Sequence, residues 1–324
     1  MTSSASDIRS VIVGTGGYLP AEVLDNDAVA QRYGLDTSDE WIVERTGIRQ
    51  RHLAAAGETT GDMGAAAARE ALAQAGIDVS EVDAIIVATA TPDSAFPSTA
   101  ARVQAKLGVT RGFAFDISAA CTGFVYALSV ADSMLRAGQA RCALVIGSEV
   151  FTRLLDWTDR STCVLFGDGA GAVVMRAVPT DTAEGRGVLS CHLHADGTHG
   201  DILSVDPASR MVRMTGREVF RHAVSKLASV VDEALAANGL DKADVSWLVP
   251  HQANQRIIDA MGRKLGLPPE RVVTTVGRHA NTSAASIPLA LAEATRDGRI
   301  KPGELVLMEA IGGGLTWGAA LARF

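Results

Sequence analysis

The sequence predicts an α/β protein built from two copies of one layered unit, on three observations. Short β-branched runs alternate with alanine-rich helical segments, the pattern of helices packed on mostly buried strands. Residues 71–88 (ALAQAGIDVSEVDAIIVA) reappear as 234–251 (ALAANGLDKADVSWLVPH), each reading as helix, turn and strand, and self-similarity of this kind marks a repeated unit. Residues 135–147 (LRAGQARCALVIG) reappear as 295–307 (TRDGRIKPGELVL), with Gly138 opposite Gly298 at an offset of 160.

Taken in order, 10–14 (SVIVG) predicts the opening strand and 62–75 an alanine-rich helix. A strand follows at 84–88 (AIIVA), then helices at 98–107 and 122–137. Strands at 143–147 (ALVIG) and 171–175 (GAVVM) close the first half, the latter entered through the glycine-rich FGDGAGA. The second half predicts a helix at 217–237, a strand at 246–249 (SWLV), helices at 254–265 and 283–296, and a strand at 304–309 (ELVLME). Helices 98–107 and 254–265 both end in Leu-Gly, and the second half also closes with a glycine-rich turn into a strand, IGGGLTWGAAL at 311–321. The division falls near 1–178 and 179–324.

The chain has 324 residues, 47% apolar and 21% charged, enough to bury a large core without staples. A net charge of −7 excludes broad nucleic-acid binding, which needs a basic face. The four cysteines, Cys121, Cys142, Cys163 and Cys191, form no C-x-x-C pair, so zinc and thioredoxin-like chemistry are disfavoured and a reducing cytoplasm is expected. The N-terminal MTSSASDIRS is polar, with no apolar core of a leader peptide, and the apolar runs are too short for a membrane span.

Three residues suggest chemistry. Cys121, in FDISAACTGFVYAL, sits where strand-like residues enter a helix. A helix start carries partial positive charge, which lowers a thiol pKa and raises the thiolate fraction that attacks acyl carbonyls. A buried structural thiol between small residues fits the same segment, and both readings stay open on it alone. His251, in PHQAN directly after a strand, suits hydrogen-bond donation or general acid–base work. Asn281, in HANTS, fits a helix N-cap and equally an amide facing a cavity. At the offset of 160, Asn281 falls opposite Cys121.

The Gly312-Gly313-Gly314 run lets backbone N–H groups approach a substrate oxygen, with the Cys121 N–H as a second oxyanion donor. Gly14-Thr15-Gly16-Gly17 and the 167–171 run lack the spacing and context of a dinucleotide fingerprint. His192 and His194 share a strand face, but no third ligand has convincing spacing, so no metal is expected. Arg256, Arg263 and Lys264 share the helix after His251, either as a solvated face or as a landing strip for an acidic partner.

In combination these pieces are specific. DEWIVERTGIR (39–49), AFPSTAARVQ (95–104), DISAACTGF (116–124), FGDGAGA (166–172), HLHADG (192–197), VPHQANQRI (249–257), HANTSAAS (279–286) and DGRIKPGELVLMEAIGGGLTWG (297–318) span nearly the whole chain. The sequence closely resembles the β-ketoacyl-[acyl carrier protein] synthase III family. That resemblance implies a thiolase-like fold of five layers, α-β-α-β-α, usually dimeric, and a Cys-His-Asn set on Cys121, His251 and Asn281. It implies condensation of a short acyl-CoA with malonyl-[acyl carrier protein] through an acyl-Cys121 intermediate, with an oxyanion hole at Cys121 and Gly313 and no cofactor. It assigns CoA and substrate contacts to Trp41, Arg45, Arg160, Gly216, Phe220 and Asn254, and sends Phe96 to the partner subunit's acyl pocket. Carrier protein is implied at Gln252, Ala253, Asn254, Gln255, Arg256, Arg221, Arg263 and Lys264. Residue 280 is Ala where many relatives carry Gly, a change of little consequence unless the backbone there needs positive φ. A secondary-metabolism relative with another starter, and a non-catalytic acyl-thioester scaffold, are the alternatives.

Overall fold

The computed structural model describes residues 8–324; the first seven residues, part of the polar stretch read above, lie outside the described residues. In chain order the first part comprises β1 (Ile8–Tyr18), β2 (Glu22–Asp25), α1 (Asn26–Tyr33), α2 (Asp39–Thr46), β3 (Gln50–Leu53), α3 (Thr60–Ala75), β4 (Ala84–Ala88), α4 (Thr99–Leu107), β5 (Phe113–Ile117), α5 (Gly123–Arg136), β6 (Cys142–Glu149) and β7 (Gly169–Pro179). It continues with β8 (Gly187–Ala195), β9 (Leu203–Val205), β10 (Val212–Met214), α6 (Gly216–Ala237), β11 (Trp247–Pro250), α7 (Gln255–Leu265), α8 (Val276–His279), α9 (Ser286–Arg296), β12 (Leu305–Gly312) and β13 (Thr316–Arg323).

Two sheets carry the molecule, one ordered β1-β7-β6-β4-β5 and the other β8-β13-β12-β11. Alternating side chains point to opposite faces of a strand, and the core is divided accordingly. On β4, Ile85 and Val87 pack outward against α3 and α4, while Ile86 and Ala88 pack inward against α5 and α9. On β12, Val306 and Met308 join that same inner cluster, while Leu305 and Leu307 pack outward against α6 and α7. The layers are therefore α3/α4, sheet, α5/α9, sheet, α6/α7, the five-layer thiolase-like arrangement.

The sheets repeat one another strand for strand. The pair β4–β6 runs parallel with Ala84 opposite Ala143, and β11–β12 runs parallel with Trp247 opposite Val306, an offset of 163 in both strands. The fifth position of the second sheet shrinks to a single bridge, Leu248 to Val272. The helix starts keep the same offset: 3-10 turns at Ala120–Thr122 and Ser283–Ala285 lead into α5 and α9, and Ala120 and Ser283 both have positive φ (46° and 50°). The sequence offset of 160 is therefore corrected here. The residue equivalent to Cys121 is Ala284, and Asn281 lies three positions earlier. The count of 160 returns only at Gly138 and Gly298 because α9 is three residues shorter than α5 (11 against 14).

Sequence-predicted strands run longer in space. β1 continues from 14 to Tyr18 through Gly14, Gly16 and Gly17. These are not turn glycines: a Cβ on Gly16 would come within 2.3 Å of the Ala67 carbonyl oxygen on α3. Among the described residues no helix is long and apolar enough to cross a membrane.

Candidate active site

β5 delivers Cys121 through Ser118-Ala119-Ala120 into the 3-10 turn that precedes α5. The turn is tied down by two threonines: Thr122 Oγ1 donates to the Thr316 carbonyl (2.9 Å), and Thr316 Oγ1 donates to the Ala119 carbonyl (3.0 Å). Gly312, at the end of β12, runs so close that a Cβ there would lie 2.6 Å from the Cys121 nitrogen. Only glycine lets the two backbones meet.

His251 is the first residue after β11, its N–H donating to the Glu309 carbonyl (2.8 Å). Its Nδ1 lies 2.6 Å from Ser286 Oγ, which accepts the Gln252 N–H at 3.3 Å. When the Ser286 hydroxyl donates to Nδ1, the imidazole proton sits on Nε2. Burial lowers the His251 pKa to about 3, so the ring is a neutral donor.

Asn281 is bracketed by the FGDG run: its N–H donates to the Leu165 carbonyl (2.9 Å) and its carbonyl accepts the Gly167 N–H (3.1 Å). Its Oδ1 accepts the Ser283 N–H (2.8 Å), which leaves the side-chain NH₂ free to donate. Asp168 fixes the run from behind, accepting the Thr152 N–H and hydroxyl and the Ala54 N–H. Ala280 has φ 57° and ψ −161°, so the condition under which its methyl matters is met. A non-glycine residue in such a region costs about 1–3 kcal/mol, held here by the packing around Asn281.

Cys121, His251, Asn281 and Gly313 line one cavity of about 940 Å³. Its mouth is basic and aromatic. Arg45 and Arg160 both stack on Trp41, at 4.4 and 5.0 Å from the ring centroid. An adenine sandwiched between Trp41 and Arg160 needs the guanidinium to lift, because two stacked layers take roughly 7 Å. Gly216, Phe220, Ala253 and Asn254 line the same cavity. Asn254 also caps α7 and donates to the Arg45 carbonyl (3.0 Å). Exposed Arg256 lies over Phe220 at 5.1 Å, and Arg221, Arg263 and Lys264 are exposed on α6 and α7 outside the cavity wall. Phe96, 85% exposed, stands outside this chain's cavity.

Two expectations change, those for Gln252 and for the Cys121 thiol. Gln252 is fully buried, donating to the Pro250 and Val273 carbonyls and accepting from the Thr275 and Val276 amides; it braces the loop and cannot reach a carrier protein. Gln255, half-buried, lines a separate hollow beside Gly47 and donates to Asp259. The Cys121 thiol is not held low by its helix start: burial pushes it up to about 12, with the nearby Glu149 carboxyl adding to the rise. His192 and His194 each bond one oxygen of Glu233 (3.0 and 2.7 Å), and among the described residues no group of three or more His, Cys, Asp or Glu is arranged to hold a metal ion. Sequence reading missed Ser286 and Glu149. Ser286 stands in the quoted HANTSAAS, and Glu149 is a charge ending an otherwise buried strand.

Residues 115–197 match the family model of 3-oxoacyl-[acyl-carrier-protein (ACP)] synthase III, and residues 235–324 match the model of its C-terminal part. The chain is 65% identical over 322 residues to a β-ketoacyl-[acyl-carrier-protein] synthase III of Acidiphilium cryptum, covering 98% of this chain and 99% of the relative. It is 62% identical to the enzyme of that name from Rhodospirillum centenum, over 98% of this chain and 99% of the other. Among solved structures it is similar to 3-oxoacyl-[acyl-carrier-protein] synthase III from Aquifex aeolicus, with a TM-score of 0.93 at 48% identity over 97% of this chain and 100% of that one.

Proposed function

The chain belongs to the 3-oxoacyl-[acyl-carrier-protein] synthase III family, and we propose that it starts fatty acid synthesis by joining a short acyl-CoA, acetyl-CoA first, to malonyl-[acyl carrier protein]. It is a condensing acyltransferase. One observation carries the residue-level reading: the cysteine, the imidazole and the asparagine amide open onto one cavity beside the Gly313 backbone.

In the first half-reaction the Cys121 sulfur attacks the thioester carbonyl, with the Cys121 and Gly313 N–H groups receiving the oxyanion, and CoA leaves. In the second, the neutral His251 Nε2–H and the Asn281 NH₂ donate to the malonyl thioester oxygen and stabilise the enolate formed as CO₂ departs. A donor aimed at developing charge in a dry site is worth ~3–4 kcal/mol, and a neutral imidazole serves because it keeps its proton. The enolate carbon then attacks the acyl-Cys121 carbonyl. No cofactor enters this scheme. We assign CoA to the Trp41, Arg45 and Arg160 mouth, the carrier to exposed Arg221, Arg256, Arg263 and Lys264, and a second copy of the chain to Phe96. We read 1–178 as the half that supplies the nucleophile, 179–324 as the half that supplies His251 and Asn281, and the cytoplasm as the location.

The test is mass spectrometry of the chain after incubation with a panel of acyl-CoAs, followed by malonyl-carrier. Wild type should gain one acyl mass on Cys121 and lose it on condensation. Cys121→Ser should lose nearly all product, since a hydroxyl is a far poorer nucleophile near pH 7. An adduct elsewhere, or none with any short starter, would remove this reading.

A further inference from the structure

Two donors that serve one thioester oxygen must keep a fixed spacing, because a donor out of place stabilises little. His251 follows β11, and Asn281 lies between α8 and α9. The stretch from Thr275 to Ser286 carries Asn281, and both its ends are fastened to the dipeptide His251-Gln252. At the first end, Gln252 Oε1 accepts the N–H groups of Thr275 (2.7 Å) and Val276 (3.0 Å), where α8 begins. At the other end, Ser286 Oγ accepts the Gln252 N–H (3.3 Å) and lies 2.6 Å from His251 Nδ1. Gln252 Nε2 donates to the carbonyls of Pro250 (2.8 Å) and Val273 (3.0 Å), which ties the residue before His251 to the segment leading into α8.

The fully buried Gln252 amide thus fills every hydrogen-bonding position it has, donating twice and accepting twice. Inside the fastened stretch Ala280 holds φ 57° and ψ −161°, a backbone that persists only where its surroundings over-determine it. The Leu165 carbonyl and the Gly167 N–H hold the Asn281 backbone to the first half of the chain. The hydrogen bonds of Gln252 and Ser286 hold it to His251.

Ser286 is 1% exposed, and among the described residues its Oγ has two partners, the Gln252 N–H and His251 Nδ1. A proton on Nδ1 would bond Oγ and leave the Ser286 hydroxyl proton, shut off from water, without an acceptor. With the hydroxyl donating to Nδ1 every group is matched, as buried polar groups are by rule.

We propose that Gln252 and Ser286 are positioning residues that clamp the His251 and Asn281 donors onto one thioester oxygen, Ser286 by donating to Nδ1 and so keeping the imidazole proton on Nε2. Neither residue lines the cavity, so both act through the two donors. Their effect belongs to the second half-reaction, in which the malonyl thioester oxygen gains charge. The first half-reaction uses the Cys121 and Gly313 N–H groups, on turns held by Thr122 and Thr316 instead. The clamp deepens the proposed condensation and rests on it.

The test measures the half-reactions separately on the full chain. Transfer of acetyl from acetyl-CoA to Cys121 is followed by mass spectrometry, and CO₂ release from malonyl-[acyl carrier protein] is then followed on the acetylated chain. Ser286→Ala and Gln252→Glu should each slow CO₂ release at saturating carrier about ten- to a hundredfold with KM little changed, the cost of moving a donor by ~1 Å in the transition state. Acetylation of Cys121 should stay within about twofold of wild type. Ser286→Thr keeps the hydroxyl and should regain most of the loss. Circular dichroism checks the fold, and Ser286→Ala carries the test if the Gln252 variant does not fold. Equal losses in both half-reactions would mark a merely structural role and overturn the clamp, as would wild-type CO₂ release in Ser286→Ala. Nitrogen-15 NMR of the histidine-labelled chain, with His251→Asn identifying the resonances, should show Nε2 protonated and Nδ1 not; a proton on Nδ1 overturns the donation by Ser286. Failure of wild-type Cys121 to take any acetyl group overturns the nucleophile itself, a result read before malonyl-carrier is added.

Discussion

Glu309 sits at 1% exposure on β12, opposite Pro250, with neither carboxylate oxygen hydrogen-bonded. Burial raises its pKa to about 8 from 4.5. Below pH 4.5 the folded and unfolded chains both hold this proton, and it has no bearing on stability. From there to pH 8 the unfolded chain loses the proton and the folded chain keeps it, so stability falls as pH rises, by on the order of a few kcal/mol. Glu309→Gln should therefore raise the melting temperature by several degrees at pH 8 and scarcely at pH 5; an equal gain at both would show that the carboxyl is ionised in the folded state. At this scale the sequence picks out Cys121, His251 and Asn281 as candidates, because they sit in distinctive motifs, and the structure brings the three to one cavity. It is silent on Ser286, whose importance comes only from what it touches.

α7 joins the cavity to the surface. Asn254 caps it, and Ile257, Ile258, Met261 and Leu265 bury one stripe, which leaves Arg256 and Arg263, seven residues apart and so on one face, in solvent. Lys264, one position on, is drawn toward Asp232 on α6 (3.9 Å). On the proposed assignment of the carrier to this face, the two arginines would steer it. Arg263→Glu should raise the KM for malonyl-carrier roughly tenfold, at about 1.4 kcal/mol of lost attraction, and leave the rate of Cys121 acylation by acyl-CoA unchanged. A matching fall in the acylation rate would place Arg263 on the CoA side instead. The element boundaries of α7, 254–265 in sequence against Gln255–Leu265 in space, were legible because its apolar period is strong. The short helices α1 and α2 were not, since each is eight residues long and owes its stability to packing rather than to pattern.

For the whole molecule, the sequence repeat and the duplicated sheets put the cavity where the two units meet, with Cys121 from one and His251 and Asn281 from the other. Among the described residues three large apolar side chains are exposed, Val23 (43%), Val205 (39%) and, furthest into solvent, Phe96 (85%). With a second copy as the proposed partner of Phe96, light scattering should give wild type the mass of two chains and shift Phe96→Asp toward one, with loss of condensation. A wild-type monomer, or an unaltered dimer with unaltered starter preference in the variant, would remove Phe96 from the interface.

The alternation of strands and helices, the duplication and the three motif residues follow from the sequence alone, because periodicity and local composition are written residue by residue. Which of the two sequence offsets, 163 or 160, applies at Cys121, the buried bracing role of Gln252, the strained backbone at Ala280 and the proton affinities of Cys121 and His251 needed the tertiary structure. Each depends on which segments distant in sequence meet, and the last on how far they exclude water from one another; desolvation, unlike periodicity, is a property of neighbours in space.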